Sequence, residues 1–149
     1  MNIFNSLRIS ASGLSAERVR LDTISANIAN ADATRTPTGG PYRRQVALLA
    51  SSESDQNSFS SVLRKARSAK PQVNGVRVVG IVEDPTPSKM VYEPNHPDAN
   101  EEGYVEYPNV NIMKEMVEAI TASRAYEANV TAMNSTKSMF IKALEIGKG

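Results

Sequence analysis

Cysteine and tryptophan are both absent from the 149 residues. Without a thiol the chain can form no disulfide, no thiolate metal site and no cysteine nucleophile, so the redox state of its compartment has no hold on it. Histidine occurs once, at His96, between Pro94 and Pro97. A lone imidazole makes neither a catalytic triad nor a zinc site, and a structural role is expected for it. Aromatic residues are only 5% of the chain and the mean hydropathy is -0.35. The apolar supply is therefore Ala, Val, Ile, Leu and Met, which suits thin helix-to-helix seams better than a thick globular centre. Charge is also scarce in net terms: 17 basic against 16 acidic residues leave +1, too little to steer nucleic acid, so no nucleic acid partner is expected. No apolar run reaches the 18 or so residues of a membrane-spanning helix, so no transmembrane segment is expected. Arg8, Glu17, Arg18 and Arg20 interrupt the N-terminal stretch and deny it the form of a cleaved signal peptide.

What is present is a change of period along the chain. Leu7, Leu14, Leu21 and Ile28 recur every seventh residue, with Phe4, Ala11 and Ile24 at the half-steps. This predicts an amphipathic helix from about Ile3 to Ala31 with a narrow heptad seam. Gly13 reads as its weak point, costing about 1 kcal/mol relative to Ala. Pro37, Gly39, Gly40 and Pro41 then end it. A second seam runs through Ala119, Ser123, Tyr126, Val130, Met133, Lys137, Phe140 and Leu144 in steps of four and three. It predicts a helix from about Val110 to Ile146, roughly 50 Å long at 1.5 Å per residue. Two thin stripes of equal period call for each other, as an antiparallel coiled coil at the chain ends.

Between them lies the β-branched part. Tyr42–Ala50 reads as a strand, with a short helix as its alternative, and Ser51–Ser61 as a mobile polar loop. Gly75–Glu83 is the strongest strand, Met90–Tyr92 a short one, and Tyr104–Tyr107 another. The expected fold is thus mainly α with a small β insert (α+β). Residues 1–35 and 109–149 form a terminal-helix core, and 36–108 an inserted domain.

The polar clusters offer little chemistry. Asp98, Asn100, Glu102 and Gly103 resemble the start of a calcium loop, but its twelfth position is Asn109 where a bidentate Glu is required, so a solvated acidic turn is expected. Arg64, Lys65, Arg67 and Lys70, like Arg43 and Arg44, lack interleaved aromatics and read as solvated surface or subunit contact. Glu101, Glu102 and Glu106 lack the apolar pocket that would raise a general acid, and no phosphate-cradling glycine loop occurs. Neither an enzyme nor a bound cofactor is expected.

One feature resists a purely structural account: Asn27 and Asn30 place a stripe of amides beside the apolar seam, and Asn129 and Asn134 offer a similar set on the second helix. Asn30 and Asp32 could equally cap or fray the helix end. A buried amide must find partners, and these can come from a neighbouring chain. The segment "SANIANADATRTPTGGPYRR" resembles the Asn-rich motif and Thr-Pro-Gly-Tyr loop of bacterial flagellar axial proteins, and "EGYVEYPNVNIMKEMVEAITASRAYEANVTAMNSTKSM" is similar to their closing helix. With "NGVRVVGIVEDPTPSKMVYEPNHPDANEEG" between them, and "HPDANEEGYVEYPNVN" as the distinguishing stretch, the resemblance narrows to the proximal rod proteins of the flagellar basal body and covers nearly the whole chain. It implies a structural subunit whose terminal helices pair into the inner layer of a helical tube around an export channel. The implied partners are copies of itself, the other proximal and distal rod subunits, the MS-ring/rod junction protein and the flagellar type III export apparatus. The implied location is the rod crossing the periplasm, reached without a cleaved signal peptide.

On this reading Leu7, Leu14, Leu21, Ile24 and Ile28 form one half of an internal seam. Ile112, Met116, Ile120, Tyr126, Val130, Met133, Phe140 and Leu144 form the other. Asn27, Asn30, Asn129 and Asn134 are expected to set register between subunits. Two rival readings are a helical-hairpin adaptor that never polymerises and an enzyme of the cell wall that uses the acidic loop.

Overall fold

A computed structural model describes residues 3–52, 63 and 74–147 of the chain. Most of the expected Ser-rich loop and the basic residues Arg64, Lys65, Arg67 and Lys70 lie outside the described residues. The elements run α1 (Ile3–Ala29), β1 (Gln45–Ser51), β2 (Val76–Glu83), β3 (Lys89–Tyr92), β4 (Tyr104–Tyr107) and α2 (Ile112–Ile146). This is the expected α+β arrangement of two long terminal helices around a small β-containing middle.

The helices are antiparallel. Phe4 meets Phe140 edge to face at 6.4 Å between ring centroids, Gly13 faces the Asn129 side chain, and Asn27 bonds Glu115. Ascending positions on α1 thus meet descending ones on α2. The seam differs from the expected one in phase. On α2 the buried positions are Glu115, Ala122 and Thr136, with Asn129 half-buried between them, a seven-residue repeat of small and polar side chains. Ile112, Met116 and Ile120, expected inside, are exposed, as is Leu144, while Tyr126 and Phe140 are each 38% exposed. On α1 the buried set is Ser10, Ala16, Thr23, Ile24 and Asn27, whereas Leu7, Leu14, Leu21 and Ile28 are half-buried. Small side chains let the two backbones approach closely. Gly13 shows this: a Cβ there would stand 3.0 Å from Asn129 Nδ2 and Oδ1. It is a close-approach residue and not merely a weak point.

α1 ends two residues earlier than expected, because Asn30 turns its amide back onto the Ala26 carbonyl (2.8 Å) and Ala33 N–H closes a turn onto Asn30 O (3.1 Å). The loop that follows folds on itself. Thr36 N–H donates to Gly40 O and Gly39 N–H to Thr36 O, both at 2.9 Å, with Gly39 at φ 88 and Gly40 at φ 74. Two consecutive left-handed residues need the two glycines. α2 starts with Asn111, whose side chain accepts from Lys114 N, the usual way of satisfying a helix's orphan donors.

β1 and β2 form one antiparallel ribbon, with Gln45 opposite Glu83 and Ser51 opposite Val76, and a bulge between Leu48 and Leu49. β3 and β4 form a second, with Lys89 opposite Tyr107 and Tyr92 opposite Tyr104. The first ribbon lies along α1. At its far end Val76 N–H donates to Ser12 Oγ (3.1 Å), and Gly75 sits so close to Ser12 that any Cβ would collide with the hydroxyl. At its near end Gln45 N–H and C=O both bond to the side chain of Asn27. The second ribbon is tied to the α1 exit by Thr34 Oγ1 donating to Asp98 (2.8 Å) and by the Arg35–Asp98 ion pair at 3.8 Å.

Candidate functional site

The helix pair and the insert meet at one buried polar cluster. Asn27 and Glu115 are each fully buried. The Asn27 amide donates to Gln45 O (2.8 Å) and to Glu115 Oε2 (3.0 Å). Its carbonyl accepts from Tyr42 Oη–H (3.0 Å) and from Gln45 N–H (2.9 Å). All four bonding capacities of the amide are used, so it acts as a tie between α1, α2 and the first strand. Arg44 completes the cluster. Its Nε donates to Glu115 Oε1 at 2.7 Å, and the guanidinium reaches Asp84 and Glu118, each at 3.3 Å. One cation thus serves three carboxylates from β2's end and from two turns of α2.

A second tie runs beside it. Asn109 Oδ1 accepts from Arg44 N–H (2.8 Å), while its amide donates to Thr86 Oγ1 (2.8 Å), Thr86 O (3.1 Å) and Asp84 O (3.3 Å). The electrostatics follow this geometry. Burial pulls the Arg44 guanidinium down, but the bond and charge of Glu115, with Glu118 and Asp84, outweigh it and leave the group above its ordinary value. Burial and the neighbouring charges of Glu115 and Glu83 push the Tyr42 phenol up. Bonds from the Thr86 backbone and hydroxyl, then Arg44, hold the Asp84 carboxyl below its ordinary value.

The expected site residues separate into groups. Asn27 lies at the heart of the cluster, so its partners are within the chain rather than in a neighbour. Asn30 and Asn129 bond their own helices, at Ala26 O and Ala125 O, and Asn134 is exposed. Arg44 is a correction, since it is buried and ion-paired where a solvated surface or subunit contact was expected. Of the other functional side chains here, Tyr42 is the tyrosine of the Thr-Pro-Gly-Tyr loop, while Glu115 and Asn109 carry no sequence signal by themselves. Glu115 interrupts an apolar stretch, and only its distant partner Arg44 explains its place. In the acidic loop, Asn100 Oδ1 accepts from Glu102 N–H and Tyr104 N–H and Asp98 N–H donates to His96 Nδ1. These groups shape a turn, with Gly103 at φ 79.

The other feature of the site is what the fold leaves uncovered. Met113 and Val117 are 73% and 63% exposed, alongside Ile112, Met116 and Ile120 on the outward side of α2. At the far end Phe4, Met139, Ile141, Leu144 and Ile146 are likewise exposed, Ile146 at 83%. The first ribbon adds Val79, Ile81 and Val82. So much exposed apolar surface on one small chain marks contact with other proteins. No helix among the described residues is long and apolar enough to cross a membrane.

Comparison with known proteins agrees with this. Residues 7–35 match the family model described as flagella basal body rod protein. Residues 101–146 match the C-terminal model of the flagellar basal body rod FlgEFG proteins. The chain is 50% identical over 153 aligned positions to the flagellar basal-body rod protein FlgC of Bacillus subtilis, covering 99% of this chain and 100% of that one. It is 46% identical to FlgC of Borreliella burgdorferi, with 100% of both chains covered. To FlgC of Salmonella typhimurium it is 37% identical over 99% of this chain and 100% of that one. Full-length identity at these levels, together with a paired-helix core whose outer faces are left apolar, places the chain in the FlgC family of flagellar basal-body rod proteins, as a structural subunit of the rod.

Proposed function

We propose that this subunit polymerises with copies of itself and with the other proximal and distal rod proteins into a helical tube around the export channel, and transmits torque through it. The core of residues 1–35 and 109–149 forms the inner layer and the insert of residues 36–108 the outer one. The base of the tube joins the MS-ring/rod junction protein. The subunit reaches the periplasmic rod through the flagellar type III export apparatus, without cleavage of a signal peptide. Its role is mechanical and not enzymatic.

The observation that carries this reading is the uncovered apolar side of α2, from Ile112 to Ile120. A helix that presents small and polar residues to its own partner and Met, Val and Ile outward has its larger hydrophobic gain still to come, at about 25 cal/mol per Å² of apolar surface removed from water. Contacts that do not close on themselves generate a helical tube. The Asn27–Arg44–Glu115 cluster supports the torque-bearing part of the reading, because it fixes the insert to the helix pair through bonds with a single satisfied geometry.

The test is sedimentation of the purified chain at rising concentration, alone and mixed with other rod proteins, followed by electron microscopy. Growth into rods or rod-like fragments is the expected result. A chain that binds one partner helix at fixed stoichiometry and never elongates would establish the adaptor reading instead.

A further inference from the structure

Of the six methionines in the chain, Met113 and Met116 are 73% and 52% exposed, Met90 and Met139 are exposed as well, and Met133 is half-buried. A flexible apolar side chain is ordinarily found inside. Met113 and Met116 lie three apart and so share one side of α2, where Val117 and Ile120 continue the same exposed stripe. Met113 also stands in the wall of a groove of about 770 Å³ between the end of α1, the second ribbon and the start of α2, beside Val91 and Ile112. A change at its sulfur therefore touches both the stripe and the groove. The chain has no cysteine, so exposed methionine sulfur is the first group that a peroxide oxidises.

We propose that Met113 and Met116 are modification sites: their oxidation to sulfoxide in the free subunit closes the outward side of α2 to other rod proteins until the sulfoxides are reduced. The inference rests on the polymerising reading above and adds to it a chemical control on the docking side. In the step, a lone pair of the sulfide attacks one oxygen of hydrogen peroxide. An S–O bond forms, the O–O bond breaks, and the other oxygen leaves as water after taking the proton of the attacked one. Sulfur gives up two electrons and the peroxide accepts them. A methionine sulfoxide reductase reverses the change, releasing the oxygen as water while a dithiol becomes a disulfide. The sulfoxide places a strong acceptor on a side chain that was apolar, and an apolar surface docked over it strips that acceptor of water. Neither side chain belongs to the buried core of the chain, so the subunit keeps its fold while it loses its docking side. Docking covers both sulfurs, so the control acts before assembly and not after it.

The test treats the full-length chain with dilute hydrogen peroxide, maps the sulfoxides by peptide mass spectrometry and co-sediments the product with the other rod proteins. Met113 and Met116 are expected to oxidise before Met133, and more slowly in assembled material than in the free chain. Co-sedimentation should fall about tenfold, with the melting temperature of the dilute chain unchanged, and return after reduction by methionine sulfoxide reductases for both epimers. A Met113→Leu/Met116→Leu chain keeps the apolar volume and should co-sediment as before, now with or without peroxide. A Met90→Leu/Met139→Leu chain should stay sensitive. Three results would overturn the proposal and leave the polymerising reading in place: oxidised and untreated chains that co-sediment equally, sensitivity that persists in the Met113→Leu/Met116→Leu chain, or a melting temperature that collapses on oxidation. An untreated chain that co-sediments with no rod protein at any concentration would sink the polymerising reading itself, and with it the docking side that the oxidation is said to close.

Discussion

The two sides of α2 reverse the usual order of an amphipathic helix. Toward α1 it presents Glu115, Ala122, Asn129 and Thr136; toward solvent it presents Met113, Met116, Val117 and Ile120. The inner side holds its partner through close approach and a few well-satisfied polar bonds. The outer side keeps the bulk of its apolar surface for other molecules. A helix that buried its large apolar side chains against its own partner would do the opposite, and the contrast teaches that this one leaves its larger apolar surface for an interface.

The sharpest way to break the contrast is at the inner side. Arg44→Met leaves Glu115 buried with only Asn27 beside it, and loss of about 3–5 kcal/mol of stability is expected in urea denaturation, because a buried charge is then left without its counterion. Next in size is the far anchor of the first ribbon. Gly75→Ala drives a methyl into Ser12, which already accepts from Val76 and donates to Ile9 O. A cost of about 1–3 kcal/mol is expected, with faster amide exchange in β2 than in the wild-type chain. Smaller again is the effect of the outer side on the monomer. Met116→Ser should change the stability of the dilute chain by less than about 0.5 kcal/mol, while co-sedimentation with other rod proteins drops. A large loss of monomer stability there would show that the outer side is covered within the chain after all.

The smallest expected effect is pH dependence, and its sign follows from the cluster. Asp84 titrates below its ordinary value of 3.8 in the folded chain. Its contribution is therefore complete above about pH 4 and is lost as the pH falls through the folded value. Tyr42 titrates above its ordinary 10.0, so its contribution is complete below about pH 10 and is lost as the pH rises through the folded value. Thermal melts between pH 3 and 11 should show a plateau bounded by these two declines. An Arg44→Met chain should lose part of the acidic one, since Arg44 is among the groups that hold Asp84 down.

Period and punctuation made the elements legible. The sevenfold spacing of Leu7, Leu14, Leu21 and Ile28 announced α1, the long Pro-free stretch after Asn109 announced α2, and the β-branched run at Gly75–Glu83 announced β2 to within a residue. The phase of the α2 seam was not legible. Counting large apolar residues points to Ile112, Met116 and Ile120, but that rule presumes one partner for the helix, and here the largest side chains are held for another. Nor was the polar cluster legible. Asp84 and Glu115 lie 40 and 71 residues from Arg44 in the chain, and each of the three alone looks like an ordinary surface charge.

Local chemistry by itself determined the helices, the strands, the Gly39–Gly40 turn and the membership of a flagellar rod family, since each depends on residues near in sequence or on a pattern along it. Only the tertiary structure decided which side of α2 faces inward and that Asn27, Arg44 and Glu115 share one site. The reason is that burying a charge or an amide is stable only when its partners are already in place, and those partners are brought together by the packing of distant segments.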